Sequence, residues 1–306
     1  MMVRNVTFEN GHYQLPLLWR SDAERLPSSR DMALHRLKGL KRRLERNQEL
    51  KTKYCDQMHA VLACDYAERV PENEIDVPNK IWYIPHHPVI NPKKLEKVRI
   101  VYDCAATVDG KSLNDFLMKG PDLTNALIAV LLRFRKWLVP VIADIEAMFH
   151  QVRVSPLHRD ALRFFWWPNS DLDADPKVYR MKVHLFGAKS SPSCATFCLR
   201  ETARQFGKNF DLNIAETVLK SFYVDDCLAG ADSEAAAVDL VKSLRALLAM
   251  GGFKLTKWLS TSEKVMSSIP EDKKARAARS TMPSTAPQQR VLGISWNVVN
   301  MNFSLR

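Results

Sequence analysis

An α+β fold is what this sequence predicts, on three observations. Short apolar runs that read as strands mix with helical stretches, without a regular strand–helix–strand period. Apolar residues make up 46% of the 306 positions, enough for a real core in one large domain or two to three subdomains. Two of the apolar runs, Val139-Pro-Val-Ile-Ala-Asp144 and Phe222-Tyr-Val-Asp225-Asp226, carry carboxylates at a strand end or turn. A carboxylate so placed is costly unless it is paired or holds a metal, so the three point to a divalent-cation site.

The elements follow in order. Residues 1–30 read as an extended lead-in with a Pro-Ser-Ser turn. From Leu34, apolar residues Leu37, Leu40, Leu44, Leu50, Tyr54 and Met58 recur at near-helical spacing, which predicts one long amphipathic helix or two. Lys38, Lys41, Arg42, Arg43 and Arg46 interleave with that stripe, either as a solvated charge run or as a phosphate-contacting face. Residues 81–90 read as a strand broken by prolines, 98–102 as a strand, and Asp109-Gly110 as a turn. Leu123 to Phe134 has one apolar helical face and leads into a strand at 138–143 that ends on Asp144. Strands are expected at 149–154, 162–167 and 178–184, with a polar loop at 168–176, and then a helix from Pro192 to about 207. A β-hairpin follows, with strands near 220–224 and 227–230 and Asp225-Asp226 at its tip. Ser233 reads as the N-cap of a helix over 233–250 that stops at Gly251-Gly252. Short strands are expected at 253–258 and 291–296.

Lys plus Arg exceed Asp plus Glu by 45 to 34, and the net charge of +11 favours a polyanionic partner with salt-sensitive binding. The six cysteines form no CxxC pair or zinc-like series, which points to free thiols in a reduced compartment. Cys194 and Cys198 read as core residues of a helix. No apolar stretch reaches 18 residues and no signal peptide opens the chain, so the expectation is a soluble intracellular protein, cytoplasmic or nuclear, without a membrane partner.

Seven segments, in this order, resemble reverse transcriptases, and among them those of BEL/Pao-class LTR retrotransposons. They are Arg99-Ile-Val-Tyr-Asp103, Ser112-Leu-Asn114-Asp115, Asp144-Ile-Glu-Ala-Met-Phe149, Leu185-Phe-Gly187-Ala-Lys-Ser-Ser191-Pro192, Tyr223-Val-Asp-Asp226, Gly251-Gly-Phe-Lys254-Leu-Thr-Lys-Trp258 and Leu292-Gly-Ile-Ser-Trp296. The resemblance implies a right-hand polymerase with palm and fingers and an antiparallel palm sheet. Its expected parts are a lead-in and basic helix at 1–70, mainly fingers at 71–136, palm at 137–161, fingers and palm at 162–184, palm at 185–258 and a palm–thumb border at 259–306. The chain ends ten residues after Trp296, so the thumb is expected to be largely absent, as are the connection, RNase H, integrase and protease regions.

It also implies roles. Asp144, Asp225 and Asp226 match the catalytic, metal-holding carboxylates, with Asp144 and Asp225 the most direct ligands and Asp226 the more architectural. The implied cofactor is a pair of Mg²⁺ ions, with Mn²⁺ as an alternative, which stabilise the attacking and leaving oxygens of in-line displacement. For the deoxynucleoside triphosphate, Arg99 matches a phosphate-contacting residue, Lys97 supplies a more mobile charge, and Phe149 matches the aromatic that excludes a 2′-hydroxyl. Template-primer, RNA or DNA, is expected at Gly187, Lys189, Ser191, Pro192, Tyr223, Lys257 and Trp296. Two departures stand out: Cys104-Ala-Ala-Thr lies where a Ser-rich stretch is usual, and His150 replaces an apolar residue. Three functional readings follow: an RNA-directed DNA polymerase region of a retrotransposon polyprotein, a nucleic-acid-binding remnant without catalysis, and a protein-interaction module.

Overall fold

The chain opens with a short helix α1 (Met2–Asn5), strands β1 (Thr7–Glu9) and β2 (His12–Leu15), and helices α2 (Arg30–Glu45) and α3 (Gln48–Ala63). Strands β3 (Ala67–Arg69), β4 (His86–Asn91), β5 (Lys94–Tyr102), β6 (Thr107–Val108) and β7 (Lys111–Ser112) lead to helix α4 (Leu127–Arg135). Next come strands β8 (Val139–Ile145), β9 (Arg153–Val154), β10 (Arg163–Trp166) and β11 (Lys177–Met181), then helices α5 (Ser191–Phe206) and α6 (Leu212–Lys220). Strands β12 (Phe222–Tyr223) and β13 (Asp226–Ala231), helix α7 (Glu234–Met250), strand β14 (Leu255–Ser260), helix α8 (Glu263–Ser267) and strands β15 (Gln288–Val291), β16 (Ile294–Asn297) and β17 (Asn302–Ser304) complete the order. This computed structural model describes residues 2–21, 23, 25–75, 80–91, 94–275, 288–291, 294–297 and 302–304, with main chain alone for 91, 94–96 and the strands after 287.

Two units divide the chain. The first comprises Met1–Glu9, Tyr13–Pro121 and Phe149–Cys194; the second comprises Asn10–His12, Asp122–Met148 and Ala195–Arg306. In the first, β3, β10 and β11 form an antiparallel sheet and β4 pairs antiparallel with β5. The stripe read from the sequence is its helical core: Leu37, Leu40 and Leu44 of α2 and Leu50, Tyr54 and Met58 of α3 join one apolar cluster with Trp82, Phe164 and Trp166. The stripe belongs to two helices. Asn47 breaks it with extended backbone, and its side chain accepts the Leu50 N–H at 2.9 Å to start α3 afresh. The Asp109-Gly110 turn forms as expected, both residues at positive φ between β6 and β7.

The second unit is built on an antiparallel sheet of order β12-β13-β8-β14. Ile142, Leu228 and Leu259 are neighbours on one face and pack with Val130 and Phe134 of α4. Val141, Ala143, Cys227 and Ala229, which alternate with them, are buried too, while α7 packs along β8 and β13. Burial on both faces is why these strands read as nearly continuous apolar runs.

Three sequence expectations are corrected. Residues 148–151 form a 3₁₀ turn, leaving β9 as a two-residue strand parallel to β2; Ala147, at φ +47°, turns the chain away from a strand path. The hairpin tip lies one residue earlier than expected, at Val224-Asp225, so Asp226 is the first residue of the return strand. Helix α6 has no counterpart in the expected order; Leu212, Ala215, Val218 and Leu219 recur at helical spacing, but over only nine residues, shorter than the window in which such a pattern stands out. All six cysteines are free thiols, and Cys194 and Cys198 are fully buried.

Gly230 of β13 lets the strand pass close to Trp137: an added Cβ would lie 2.6 Å from the Trp137 Cβ and 2.8 Å from the Val139 carbonyl oxygen. Overpacking against main chain typically costs about 1–3 kcal/mol. Gly230→Ala is therefore expected to lower the urea midpoint of the second unit accordingly; an unchanged midpoint would show that the sheet yields freely there.

Candidate active site

The sheet of the second unit gathers carboxylates that are distant in sequence. Asp144 lies on the inner strand β8, with Asp226 of β13 opposite it on one side and Thr256 of β14 on the other. The Ile145 N–H donates to the Asp225 carbonyl at 2.8 Å, one rung along. Asp144 and Asp226 thus face each other on a non-hydrogen-bonded rung, where opposed side chains come closest. Period-two alternation puts both on the face of Ile142 and Leu228, so they form the polar end of an apolar row. Asp225 occupies the two-residue turn beside them.

That turn runs against local preference. Val224 sits at φ +54°, a left-handed conformation that a β-branched residue resists and that hairpins normally assign to Gly or Asn. Such a residue costs on the order of 1–3 kcal/mol and persists only where its surroundings impose it. Here the β12-β13 and β13-β8 ladders impose it. Lys257 has φ +55° at a bulge in β14 between Thr256 and Leu259, and its Nζ donates to Asp144 Oδ2 at 2.7 Å. Both strained residues are next to, or in contact with, a carboxylate.

Burial, and then the charges of Asp225 and Asp144, push the Asp226 carboxyl up to about 7, with Lys257 acting in the other direction. Asp225 is also raised, by burial first and then by Asp144, against its own main-chain N–H and Lys257. The sheet therefore holds more negative charge than its own groups neutralise. All donors are hard oxygens, which suits Mg²⁺ or Mn²⁺ rather than a thiophilic metal. Among the described residues no three carboxylate, imidazole or thiolate groups are arranged as a ready metal cage. The donor chemistry fits a divalent cation, and Lys257 is the cationic group now bound to Asp144.

The other expected site residues divide between the units. Tyr223 and Lys257 share the second unit with the carboxylates, Tyr223 half-buried and Lys257 exposed. Trp296 pairs through its main chain with Gln289 and Phe303 in β16, and its ring and residues 292–293 lie outside what is described. Arg99 and Lys97, in the first unit, are exposed two residues apart on β5 with Val98 buried between them. Phe149 is buried, and its ring lies 4.3 Å from that of half-exposed Phe186. His150 beside it is held neutral by burial, its pKa pushed down to about 4, and packs 4.9 Å from Tyr66, so this imidazole does the work of an apolar ring.

Gly187 and Lys189 are exposed on a loop at whose start Gly187 takes φ +98°. Asn114 holds that loop from both sides: its Nδ2 donates to the Gly187 carbonyl at 2.8 Å and its Oδ1 accepts the Lys189 N–H at 2.7 Å. The sequence signals Asn114 only through the Ser112–Asp115 capping box that encloses it. Pro192 is exposed in the first turn of α5, whereas Ser191 is fully buried, so its hydroxyl does not reach a strand running over the surface.

A sequence model described as reverse transcriptase (RNA-dependent DNA polymerase) matches residues 91–261. No curated protein matches the chain. Among solved structures, a foamy viral protease-reverse transcriptase dRH in complex with double-stranded DNA is similar with a TM-score of 0.56 and 15% identity, over 85% of this chain and 36% of that one. A foamy viral protease-reverse transcriptase in complex with an RNA/DNA hybrid has a TM-score of 0.52 and 14% identity, over 84% of this chain and 27% of that one. At such identities the likeness concerns the fold: mixed helices and antiparallel sheets in the reverse transcriptase polymerase arrangement. The chain spans about a third of these relatives' length.

Because folded Asp226 keeps its proton up to about pH 7 and the unfolded chain releases it near 3.8, folding takes up a proton between those values. Stability conferred by the neutral form is therefore lost as pH rises through that window. Asp226→Asn is expected to melt a few degrees above the parent at pH 8 without divalent ions, at ~2–4 °C per kcal/mol, and together with it at pH 3.5. A pH-independent difference in thermal melts would remove the electrostatic explanation.

Proposed function

Since the chain belongs to the reverse transcriptase (RNA-dependent DNA polymerase) family, we propose that it is the RNA-directed DNA polymerase region of a BEL/Pao-class LTR retrotransposon polyprotein, adding deoxynucleoside monophosphates to a primer 3′ end. The observation that carries this reading is the convergence of Asp144, Asp225 and Asp226 on one end of the second unit's sheet. The BEL/Pao assignment rests on the order and wording of the seven sequence segments. In the polymerase reading the second unit supplies the palm sheet, and β4, β5 and the strands around them supply fingers.

Asp144, Asp225 and Asp226 would hold two Mg²⁺ ions, or Mn²⁺. When bound, such ions neutralise charge on the attacking and leaving oxygens of in-line displacement. The protein's own contribution is positioning. The antiparallel ladder fixes Asp226 against Asp144, the Val224 turn presents Asp225, and the β14 bulge holds the Lys257 ammonium at Asp144. The same exposed ammonium is assigned to a template-primer phosphate oxygen. Arg99 offers a planar fork of donors to the triphosphate, with Lys97 beside it on β5. Phe149, with Phe186 as the exposed member of the pair, supplies the wall against a ribose 2′-hydroxyl. Gly187, Lys189, Pro192, Tyr223 and Trp296 are assigned to template-primer, held through phosphate and 2′-hydroxyl contacts and little base reading. No described helix is long and apolar enough to cross a membrane.

Primer extension on an RNA template at low salt tests the reading. The parent chain is expected to extend with deoxynucleotides and Mg²⁺, and Asp225→Ala/Asp226→Ala to lose extension by at least 10³-fold while binding the duplex as before. A folded parent chain that binds the duplex yet adds no nucleotide would leave the non-catalytic remnant as the better reading.

Phe149→Ala is expected to raise ribonucleotide incorporation relative to deoxynucleotide by an order of magnitude or more. Unchanged sugar selectivity in single-nucleotide kinetics would remove Phe149 from that role.

A further inference from the structure

The polymerase reading leaves unused a basic concavity of the first unit. Gly39, Arg42 and Arg43 of α2 and Arg46, its C-cap residue, line a groove of about 510 Å³ whose other wall is Leu50 of α3 and Ile90 of β4. The three arginines are exposed. Arg42 donates to the Lys38 carbonyl at 3.4 Å, and among the described residues none of the three guanidiniums pairs with a carboxylate. The carboxylates nearest in sequence are engaged elsewhere: Glu45 with Lys41 at 3.7 Å and Glu49 with Lys53. Arg163 and Arg180 of the same unit are, by contrast, tied to Asp160, Glu68 and Glu74.

A solvated helix face would be convex and filled. This one is hollowed by Gly39, a residue that weakens a helix interior and at which an added Cβ would meet nothing within 4 Å. Asn47, the N-cap of α3, also lines the groove where α2 ends and α3 begins, so the two helix dipoles offset there and the positive charge is that of the arginines. Arg42 and Arg46 stand one turn apart, ~6 Å along the axis, a spacing comparable to that of successive phosphates on an extended strand. Guanidinium forks match phosphate oxygens, and Leu50 and Ile90 give the floor an apolar surface for sugar or base. A volume of this order takes a drug-sized ligand, hence a nucleotide or two, and not the width of a duplex.

We propose that this groove is a strand-binding site separate from the carboxylates, which holds two or three consecutive phosphates of single-stranded nucleic acid on Arg42, Arg43 and Arg46. It rests on the polyanionic substrate proposed above but not on the chemistry at Asp144, Asp225 and Asp226.

Fluorescence anisotropy of a labelled single-stranded RNA 20-mer against the full chain, at a series of salt concentrations, tests it. Arg42→Gln/Arg43→Gln/Arg46→Gln is expected to weaken binding at least tenfold and to flatten the plot of log K against log salt by about 2, since a single strand contributes a slope of ~0.7 per phosphate contact. Gly39→Leu, which fills the groove without changing charge and places a better helix former on α2, is expected to weaken binding about fivefold or more with the melting temperature retained. Arg204→Gln/Lys208→Gln/Lys242→Gln removes equal charge from the second unit and is expected to cost less than half as much in log K.

Inorganic tripolyphosphate serves as competitor. Displacement only at millimolar concentration supports a strand, whereas displacement at concentrations matching the oligonucleotide's phosphate content assigns the groove to a free polyphosphate and overturns the strand. Binding by Gly39→Leu within twofold of the parent, or equal losses in the two triple variants, reduces the arginines to net charge and also overturns it. If the parent binds no nucleic acid, both this inference and the polymerase reading fall; if only the groove variants bind like the parent, this inference falls alone and primer extension is unaffected.

Discussion

Repulsion between carboxylates that the sheet will not let separate is the constraint on which the second unit depends. Asp144 and Asp226 are fixed opposite each other by the register of β8 and β13, and the main-chain bond from Ile145 to Asp225 holds the third beside them. A flexible site would relieve the charge by moving apart. This one cannot, because both faces of its strands are buried under α4 and α7, so the charge is relieved by protonation or by a cation. Folding stability is given up in return for preorganisation. Apolar packing of Ile142, Leu228 and Leu259 supplies the stability that the carboxylates subtract.

Backbone strain follows the same distribution. Ala147, Val224 and Lys257 are all non-glycine residues at positive φ, and they lie three residues after Asp144, next to Asp225, and in contact with Asp144. Each breaks a regular path where a charged side chain must be aimed: out of β8, around the hairpin and across the β14 bulge. Bulges beside functional groups re-aim side chains in this way.

How much of this was legible in the sequence depended on whether local chemistry agreed with the fold. The Asp109-Gly110 turn was legible because its residues tolerate the positive φ the turn needs. The turn at Val224-Asp225 reads one residue late from sequence because Val224 gives no such signal, and that shift conceals the pairing of Asp226 with Asp144. The apolar stripe of α2 and α3 is legible down to individual residues, whereas the stripe of α6 is only nine residues long, too short a window to stand out. Asp144, Asp225 and Asp226 were picked out as costly carboxylates in apolar runs, but nothing local says that a bulge will carry Lys257 to Asp144. Long-range partners and strained turns are properties of the assembled sheet.

The Lys257–Asp144 ion pair links these points. An exposed ion pair adds little stability, and a lysine that served only to hold the fold would gain little from a left-handed backbone. Next to two carboxylates of raised pKa, the same ammonium limits the net negative charge and acts against the rise in both. A guanidinium in its place would grip Asp144 with two donors instead of one. An apolar residue would remove the group on β14 that acts against protonation of both Asp225 and Asp226. Lysine on a bulge meets this electrostatic demand with a single point charge on a long stem.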